Sequence, residues 1–414
     1  MFASEFLFCG KEDSGNNFAR GYNSTGRLMI EQVSDGIRKQ VDKCENLDGF
    51  VIPHSVAGGT GSGIGALLLE QLARDYKKKI KVGLDIYPSA HLSTCVMEAY
   101  NTMLATSGLI ENTDISLVLD NEAIYKVCKT HLGIPSPKES NLNRLIAKVT
   151  SSFTSFLRFA NNSEVSLQDM HTYLVPFPRL HFIATGMAPI LSLTKKESVI
   201  VEEVTTTSGS GFRAAATLPN HNEENKSNEN NNNNNNNNGN DVLQITEECI
   251  NPRQWFVEYK QFDPIKDIYM SIYLNYRGEV KSKEANSAIM SIKEHKKATL
   301  VGWSPACFKI GLCNVPAATL PDDDVAPASK TVTMIANNAG MHRMLVKRIC
   351  LPFDLMYSLR SFVHWYVYEA LEESELFSAR ENMGFLERDY SDVVTEYPFD
   401  DDNDELEEFN HNYF

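Results

Sequence analysis

The stretch that most constrains this chain is Ala57-Gly58-Gly59-Thr60-Gly61-Ser62-Gly63, entered from the apolar run Phe50-Val51-Ile52. Behind it, Ile64, Leu67, Leu68, Leu72 and Tyr76 recur at spacings that place them on one face of a helix. Strand, glycine-rich turn and helix N-terminus, in that order, are what an anion-binding loop requires. Glycines let backbone N–H groups turn inward, and the helix end supplies unpaired donors and the positive end of its dipole. Thr60 and Ser62 add hydroxyls that can bond phosphate oxygens. No lysine follows, so the pattern is not that of a P-loop. A plain turn needs one or two glycines, not four with hydroxyls between them. The loop reads as a site for a nucleotide phosphate.

Around it the chain alternates strands and helices. Phe6-Leu7-Phe8 predicts a short strand, followed by the polar loop Gly10–Gly15. Met29, Ile30, Val33, Ile37, Val41 and Cys44 make the apolar face of a first helix. Ile80, Val82, Leu84 and Ile86 alternate with Lys81, Gly83 and Asp85, the period of a half-buried strand, and Ile115–Leu119 is a further strand ending at Asp120-Asn121. This order predicts a parallel sheet covered on both faces, with ligands at the carboxyl ends of the strands, where the glycine loop and Asn121 both fall. Leu142 to Leu157 carries the apolar stripe of one long core helix. A second α/β region begins at Leu180-His181-Phe182-Ile183, resumes at Val242 and runs to about Ala336. Between the two pieces, Thr205–Asp241 is rich in Thr, Ser, Gly and Asn, with nine successive Asn at 230–238. Such composition buries too little apolar surface to offset chain entropy and predicts a disordered insertion. Helices are expected over Phe353–Glu375 and Ser378–Tyr390, then an acidic tail after Thr395.

The net charge of −15 argues against nucleic acid as a partner and suits a surface that recruits basic ones. The 8 cysteines include no Cys-x-x-Cys pair, which points away from zinc and toward free thiols in a reducing compartment. No run approaches the ~18 apolar residues of a membrane span, and the N-terminus lacks a basic stretch before its short apolar run. A cytoplasmic location with no membrane contact is expected.

The glycine loop matches the tubulin signature, and further segments resemble tubulin as well. These are Asn16-Asn17-Phe18-Ala19-Arg20-Gly21, Asp120-Asn121-Glu122-Ala123-Ile124-Tyr125, Asn141-Leu142-Asn143-Arg144-Leu145-Ile146 and Leu174-Val175-Pro176-Phe177-Pro178-Arg179. Near the end, Phe353-Asp354-Leu355-Met356-Tyr357 and Phe362-Val363-His364-Trp365-Tyr366-Val367 do the same. The likeness runs from about Gly10 to Val394 apart from the insertion, and is closest to the alpha subunit. It implies a tubulin-like α/β fold: a Rossmann-type parallel-sheet GTPase domain over 1–141, a connecting core helix over 142–160, a second α/β domain over 161–340 and a C-terminal helical hairpin over 341–394, ahead of the tail at 395–414. The implied function is that of a GTP-binding constituent of microtubules, with beta tubulin, the microtubule lattice and basic microtubule-associated proteins as partners.

The resemblance also assigns roles. Asn16, Ser55, Gly58, Gly59, Thr60, Gly61 and Ser62 correspond to phosphate-loop positions, Thr94 and Glu98 to positions contacting phosphate and ribose, and Asn121 and Asn143 to the asparagines that read guanine. An Asn side chain offers the donor and the acceptor that guanine's edge requires. Asp169 corresponds to the carboxylate with which an alpha subunit orients or activates water at a neighbour's GTP, where the family carries Glu. Without the family, Asp169 is an ordinary helix-start acid.

Departures are equally specific. Glu139 stands where the family stacks an aromatic ring on guanine, and Ser166 where it carries Asp. About 85 residues of the family's first strands are absent, far beyond the two to six residues of ordinary loop variation. With them go the first phosphate loop and the acidic residues that handle Mg2+, and the edge of the glycine-loop strand is left uncovered. GTP hydrolysis, if present, is expected to be impaired. Two other readings stand beside the first: a non-polymerising paralogue that binds tubulin or folding factors without holding GTP, or an incomplete coding sequence. The insertion, placed where the family makes side-to-side filament contacts, predicts poor incorporation into microtubules.

Overall fold

The computed structural model describes residues 4–89, 95–159, 165–192, 241–259, 267–304, 307–320 and 323–395. Helix α1 (Arg27–Val41) precedes strand β1 (Gly49–Ser55), and α2 (Gly65–Asp75) follows the glycine loop. Next come β2 (Ile80–Tyr87), α3 (Glu98–Asn112), β3 (Ile115–Asp120) and α4 (Asn121–Thr130). Helices α5 (Glu139–Phe153), α6 (Ser155–Arg158) and α7 (Leu167–Leu174) lead to β4 (Phe182–Ala188). The remainder is α8 (Val242–Ile250), β5 (Tyr269–Gly278), α9 (Ser282–Glu294), β6 (Phe308–Cys313), β7 (Lys330–Asn338) and the helices α10 (Met341–Leu345), α11 (Leu351–Ser358), α12 (Val363–Tyr368) and α13 (Glu373–Thr395).

The strands form one seven-stranded sheet in the order β1-β2-β3-β4-β7-β5-β6. β1 to β4 run parallel, β7 is antiparallel to both β4 and β5, and β6 is parallel to β5. The second α/β region therefore continues the first sheet, joined through the short pairing of Ser116–Val118 with Phe182–Ala184. Apolar layers cover both faces. One gathers Leu69, Tyr100, Met103, Trp255 and Phe353; the other gathers Leu117, Ile124, Leu145, Phe153 and Met170. Parallel strands buried on both faces must be covered by helices on each side, as here.

Several expectations are corrected. Ser4–Phe6 is a 3-10 turn and no strand forms at Phe6-Leu7-Phe8, because the Phe8 ring lies over Gly36 of α1 instead of pairing backbone with a neighbour. Helix α1 forms, but its apolar face is only half-buried and Cys44 is exposed. In α2 the buried side chains are Ala66, Leu69 and Leu72, a face rotated from the predicted one. Strand β2 is buried on both faces, because Lys81 pairs with Asp114 and Asp85 with His54. The core helix breaks at Thr154, whose hydroxyl turns back to the Thr150 carbonyl. The expected helix over Phe353–Glu375 is interrupted twice, where Arg360, Phe362 and Ala370 adopt left-handed backbone, while α13 extends the following helix at both ends. Thr94, the insertion Thr205–Asp241 apart from Asp241, and the acidic tail lie outside the described residues.

Candidate functional site

At the carboxyl end of β1 the chain turns through Val56-Ala57-Gly58 into a π-helical turn, Thr60–Ile64, that runs on into α2. The predicted strand–loop–helix junction is present. The amides of Gly58, Gly59 and Thr60 stand at the helix start, where no preceding turn can accept from them. Around them folds the segment Asp13–Tyr22, in which Gly15 and Asn16 both take positive φ, +52° and +53°. Its approach to the loop is close: an added Cβ at Gly59 would stand 2.6 Å from the Asn17 amide nitrogen and 2.9 Å from the Ser14 carbonyl oxygen. That, rather than backbone flexibility, is why Gly59 must lack a side chain. Gly58 by contrast faces open space, with only the Asn16 side-chain oxygen within 4 Å of such a Cβ, at 3.9 Å.

One residue that sequence reasoning missed holds the two loops together. Asn101 of α3, fully buried, donates from Nδ2 to the carbonyls of Asn16 (2.7 Å) and Ala57 (2.9 Å), and its Oδ1 accepts from the Phe18 amide (2.9 Å). The Tyr366 hydroxyl donates to the same Oδ1 at 2.7 Å. The only signal in the sequence is an Asn placed among apolar residues of a helix.

The hydroxyls of the loop are engaged within the chain. Ser62 is buried and donates to the Gly58 carbonyl within its own turn, and Thr60 donates to Ser14 Oγ at 3.1 Å. Ser55 Oγ accepts from the Ala57 amide at 3.3 Å, bracing the turn. The loop thus offers backbone amides rather than side-chain oxygens.

At the ends of β2 and β3 lies a cavity of about 260 Å³ lined by Pro88, Ser89, Glu98, Thr102, Arg348 and Pro352 among others. Of the sequence-predicted residues, Glu98 lines it, as the first residue of α3. Arg348 reaches from the C-terminal helices to Asp120 (2.9 Å), Glu122 (3.2 Å) and Glu258 (3.4 Å). Asp120 caps α4 by accepting from the Glu122 amide, and burial pushes its carboxyl up to about 6 despite the Arg348 guanidinium. This anchors the half-buried Asn121 that opens α4. Asn143 is exposed in the second turn of α5, and Glu139 is exposed at its first residue. No hydrogen bond ties Asn121 or Asn143 to the glycine loop among the described residues.

Asp169 sits at the other end of the sheet. Leu167, opening α7, packs 3.2 Å from an ideal Cβ on Gly49, the first residue of β1, whereas the glycine loop follows its last. The Asp169 carboxylate accepts from the Ser166 amide (3.0 Å) and hydroxyl (2.8 Å), closing a capping box. Those bonds from Ser166 hold its carboxyl below the usual range. The helix-start role is therefore filled, on an exposed surface remote from the chain's own loop.

A family model for the tubulin/FtsZ GTPase domain matches residues 1–129, and one for the tubulin C-terminal domain matches residues 228–350. The chain is 41% identical over 396 residues to the nucleomorph tubulin alpha chain of Guillardia theta, a match covering 96% of this chain and 79% of that one. The chain belongs to the tubulin family. It is also 41% identical over 393 residues to the tubulin alpha-3 chain of Saccharomyces cerevisiae (95% and 79% covered) and 39% identical over 407 residues to the tubulin alpha-1 chain of Emericella nidulans (98% and 81%). Its mixed sheet, clad by helices on both faces, is the α/β tubulin fold.

The family's GTPase domain implies a guanine nucleotide. A phosphate fits the loop, since it supplies helix-start amides and leaves open space at the Gly58 α-carbon. Asn121 and Asn143 could each offer a donor and an acceptor to a guanine edge, whereas Glu139 offers no aromatic ring. Among the described residues no group of three or more His, Cys, Asp or Glu gathers to hold a metal ion, and no step is assigned to one. No helix among them is long and apolar enough to cross a membrane.

Proposed function

We propose that this chain is an alpha-tubulin-like subunit that binds GTP at the Gly58–Ser62 loop and pairs end to end with a beta tubulin. The observation that carries the reading is the strand-to-helix junction at Gly58–Thr60, which sets three amides at a helix start beside open space at the Gly58 α-carbon. The amides of Gly58 to Thr60 would take the phosphates, Glu98 the ribose, and Asn121 with Asn143 the guanine edge, with Thr94 a further phosphate contact. GTP supplies the phosphoanhydride whose hydrolysis the family's GTPase domain is named for.

The polarity of the sheet supports a role in trans for Asp169. It lies at the amino ends of strands whose carboxyl ends carry the loop, so stacking subunits head to tail would bring it toward a neighbour's nucleotide. Ser166 occupies one carboxylate oxygen and weakens it as a base, which suits orienting a water more than taking its proton. Basic microtubule-associated proteins would meet the acidic tail, and the cytoplasm is the compartment this function requires.

Isothermal calorimetry with GTP tests the reading. The expected result is measurable binding, weaker than that of an alpha tubulin with an aromatic ring at the Glu139 position. Lost stacking of about 1–3 kcal/mol corresponds to roughly 5- to 150-fold. Absence of binding would overturn it in favour of a tubulin-binding paralogue that holds no nucleotide.

A further inference from the structure

The strand register sets His54 of β1 directly opposite Asp85 of β2. The His54 side chain is 7% exposed and Asp85 fully buried, with Nε2 3.0 Å from Oδ1. The other ring nitrogen, Nδ1, lies 3.0 Å from the main-chain carbonyl oxygen of Gly61, inside the glycine-rich loop. Ser116 of β3 donates its hydroxyl to the second carboxylate oxygen. Two glycines leave the space this group occupies. A Cβ at Gly83 would stand 2.5 Å from Asp85 Oδ1, and one at Gly65 3.1 Å from His54 Nδ1.

Both ring nitrogens therefore face acceptor oxygens. A neutral imidazole carries one N–H and the imidazolium two, so in the neutral ring a lone pair would be pressed against either the carboxylate or the carbonyl. The Nε2–Oδ1 contact is off the line of a well-directed hydrogen bond, which makes it one of charge attraction. Burial disfavours the charged ring, and Asp85 more than offsets it, so His54 is raised above 6.5, with the Gly61 and Ser55 main chain adding to the effect. Tyr87 on β2 and His181 ahead of β4 also feel Asp85. Burial pushes the Tyr87 phenol up and the His181 imidazole down, so both stay neutral. The other ion pair on β2, Lys81 with Asp114, sits at the strand's opposite end.

We propose that the His54–Asp85 pair is a protonation-controlled anchor for the glycine-rich loop. His54 is a positioning residue that, as an imidazolium, ties the Gly61 carbonyl to the sheet and holds the loop in its nucleotide-binding shape. The ligand rests on the function proposed above; the anchoring is a property of the free chain. When the ring gives up a proton to solvent, the one that remains stays on Nε2 beside the carboxylate, the stronger acceptor, so Nδ1 turns a lone pair to the Gly61 carbonyl and the loop loosens.

The test uses the full chain between pH 6 and 9. Imidazole NMR should show His54 titrating above 6.5. Hydrogen exchange at Gly58–Gly63, corrected for its intrinsic pH dependence, should speed up about tenfold as that ring deprotonates. GTP affinity should fall over the same interval. Asp85→Asn should lower the His54 titration and move the exchange transition to lower pH with it. If that variant does not fold, the wild-type titration and exchange still decide. A His54 that titrates at or below 6.5, or loop exchange indifferent to its titration, overturns the proposal. Exchange that follows His54 in a chain that binds no GTP at any pH upholds the anchor while refuting the nucleotide reading.

Discussion

Every residue of β5 from Tyr269 to Gly278 is buried, as is every residue of β4, whereas in β1 from Gly49 to Ser55 none is. β1 forms one edge of the described sheet, and α1, which packs against α2, leaves Leu28 86% exposed. Apolar burial therefore concentrates at the centre, where β4, β7 and β5 adjoin. The candidate site rides on the margin. What holds the glycine loop there is polar: Asn101 clamps it to the Asp13–Tyr22 segment, and His54 ties Gly61 to the sheet. A loop secured by a few hydrogen bonds on a thinly buried strand opens at lower cost than the core does. A ligand that bridges its amides would have most to stabilise.

The largest expected effect separates centre from edge. Phe182→Ala in β4 removes a fully buried ring and should cost about 3–5 kcal/mol by urea denaturation, whereas Val51→Ala in β1, already 36% exposed, should cost less than about 1 kcal/mol. Equal losses would mean the edge is as well packed as the centre. Next, Asn101→Ala orphans the Phe18 amide and the carbonyls of Asn16 and Ala57. A cost of about 1–3 kcal/mol is expected, together with weaker GTP binding on calorimetry. A stable variant with unchanged affinity would show that the clamp is redundant.

Much of the parallel half was legible. Four glycines after an apolar run, with a periodic helix behind, leave few alternatives to the junction at Gly58–Thr60. Charge pairing across strands was not legible. Lys81 and Asp85 read as solvent-facing because their partners, Asp114 and His54, lie far away in sequence and meet them only through the sheet. Nor was the inward turn of Ser62, since a hydroxyl beside glycines serves a ligand or its own helix turn equally well on paper. The breaks in the C-terminal helices escaped for another reason. Arg360, Phe362 and Ala370 take left-handed backbone that residue type alone does not announce, and the apolar period runs on through them.

Smaller effects sharpen the picture at the far end of the strands. Ser166→Ala removes the α7 cap and should cost about 1 kcal/mol in thermal or denaturant unfolding. Asp169 should rise only part of the way from its lowered value, visible by carboxyl NMR, because the residue-166 amide, the larger of the two causes, still donates to it. The sign follows from linkage. A lowered folded-state pKa stabilises above about pH 4, and that contribution is lost as the pH falls through the lowered value. The variant should therefore lose less stability than the wild type on acidification through that window. An identical acid limb in both chains would show that the Ser166 hydroxyl adds nothing to the effect of the main-chain amide.

The most direct measurement is hydrogen exchange of the whole chain with and without millimolar GTP. Slowed exchange is expected at Gly58–Gly63 and Asn16–Ala19, extending into β1, with the already protected amides of β4, β5 and β7 unchanged. Binding that leaves Gly58–Gly63 exchanging as fast as before would contradict the assignment of the phosphate site to this edge.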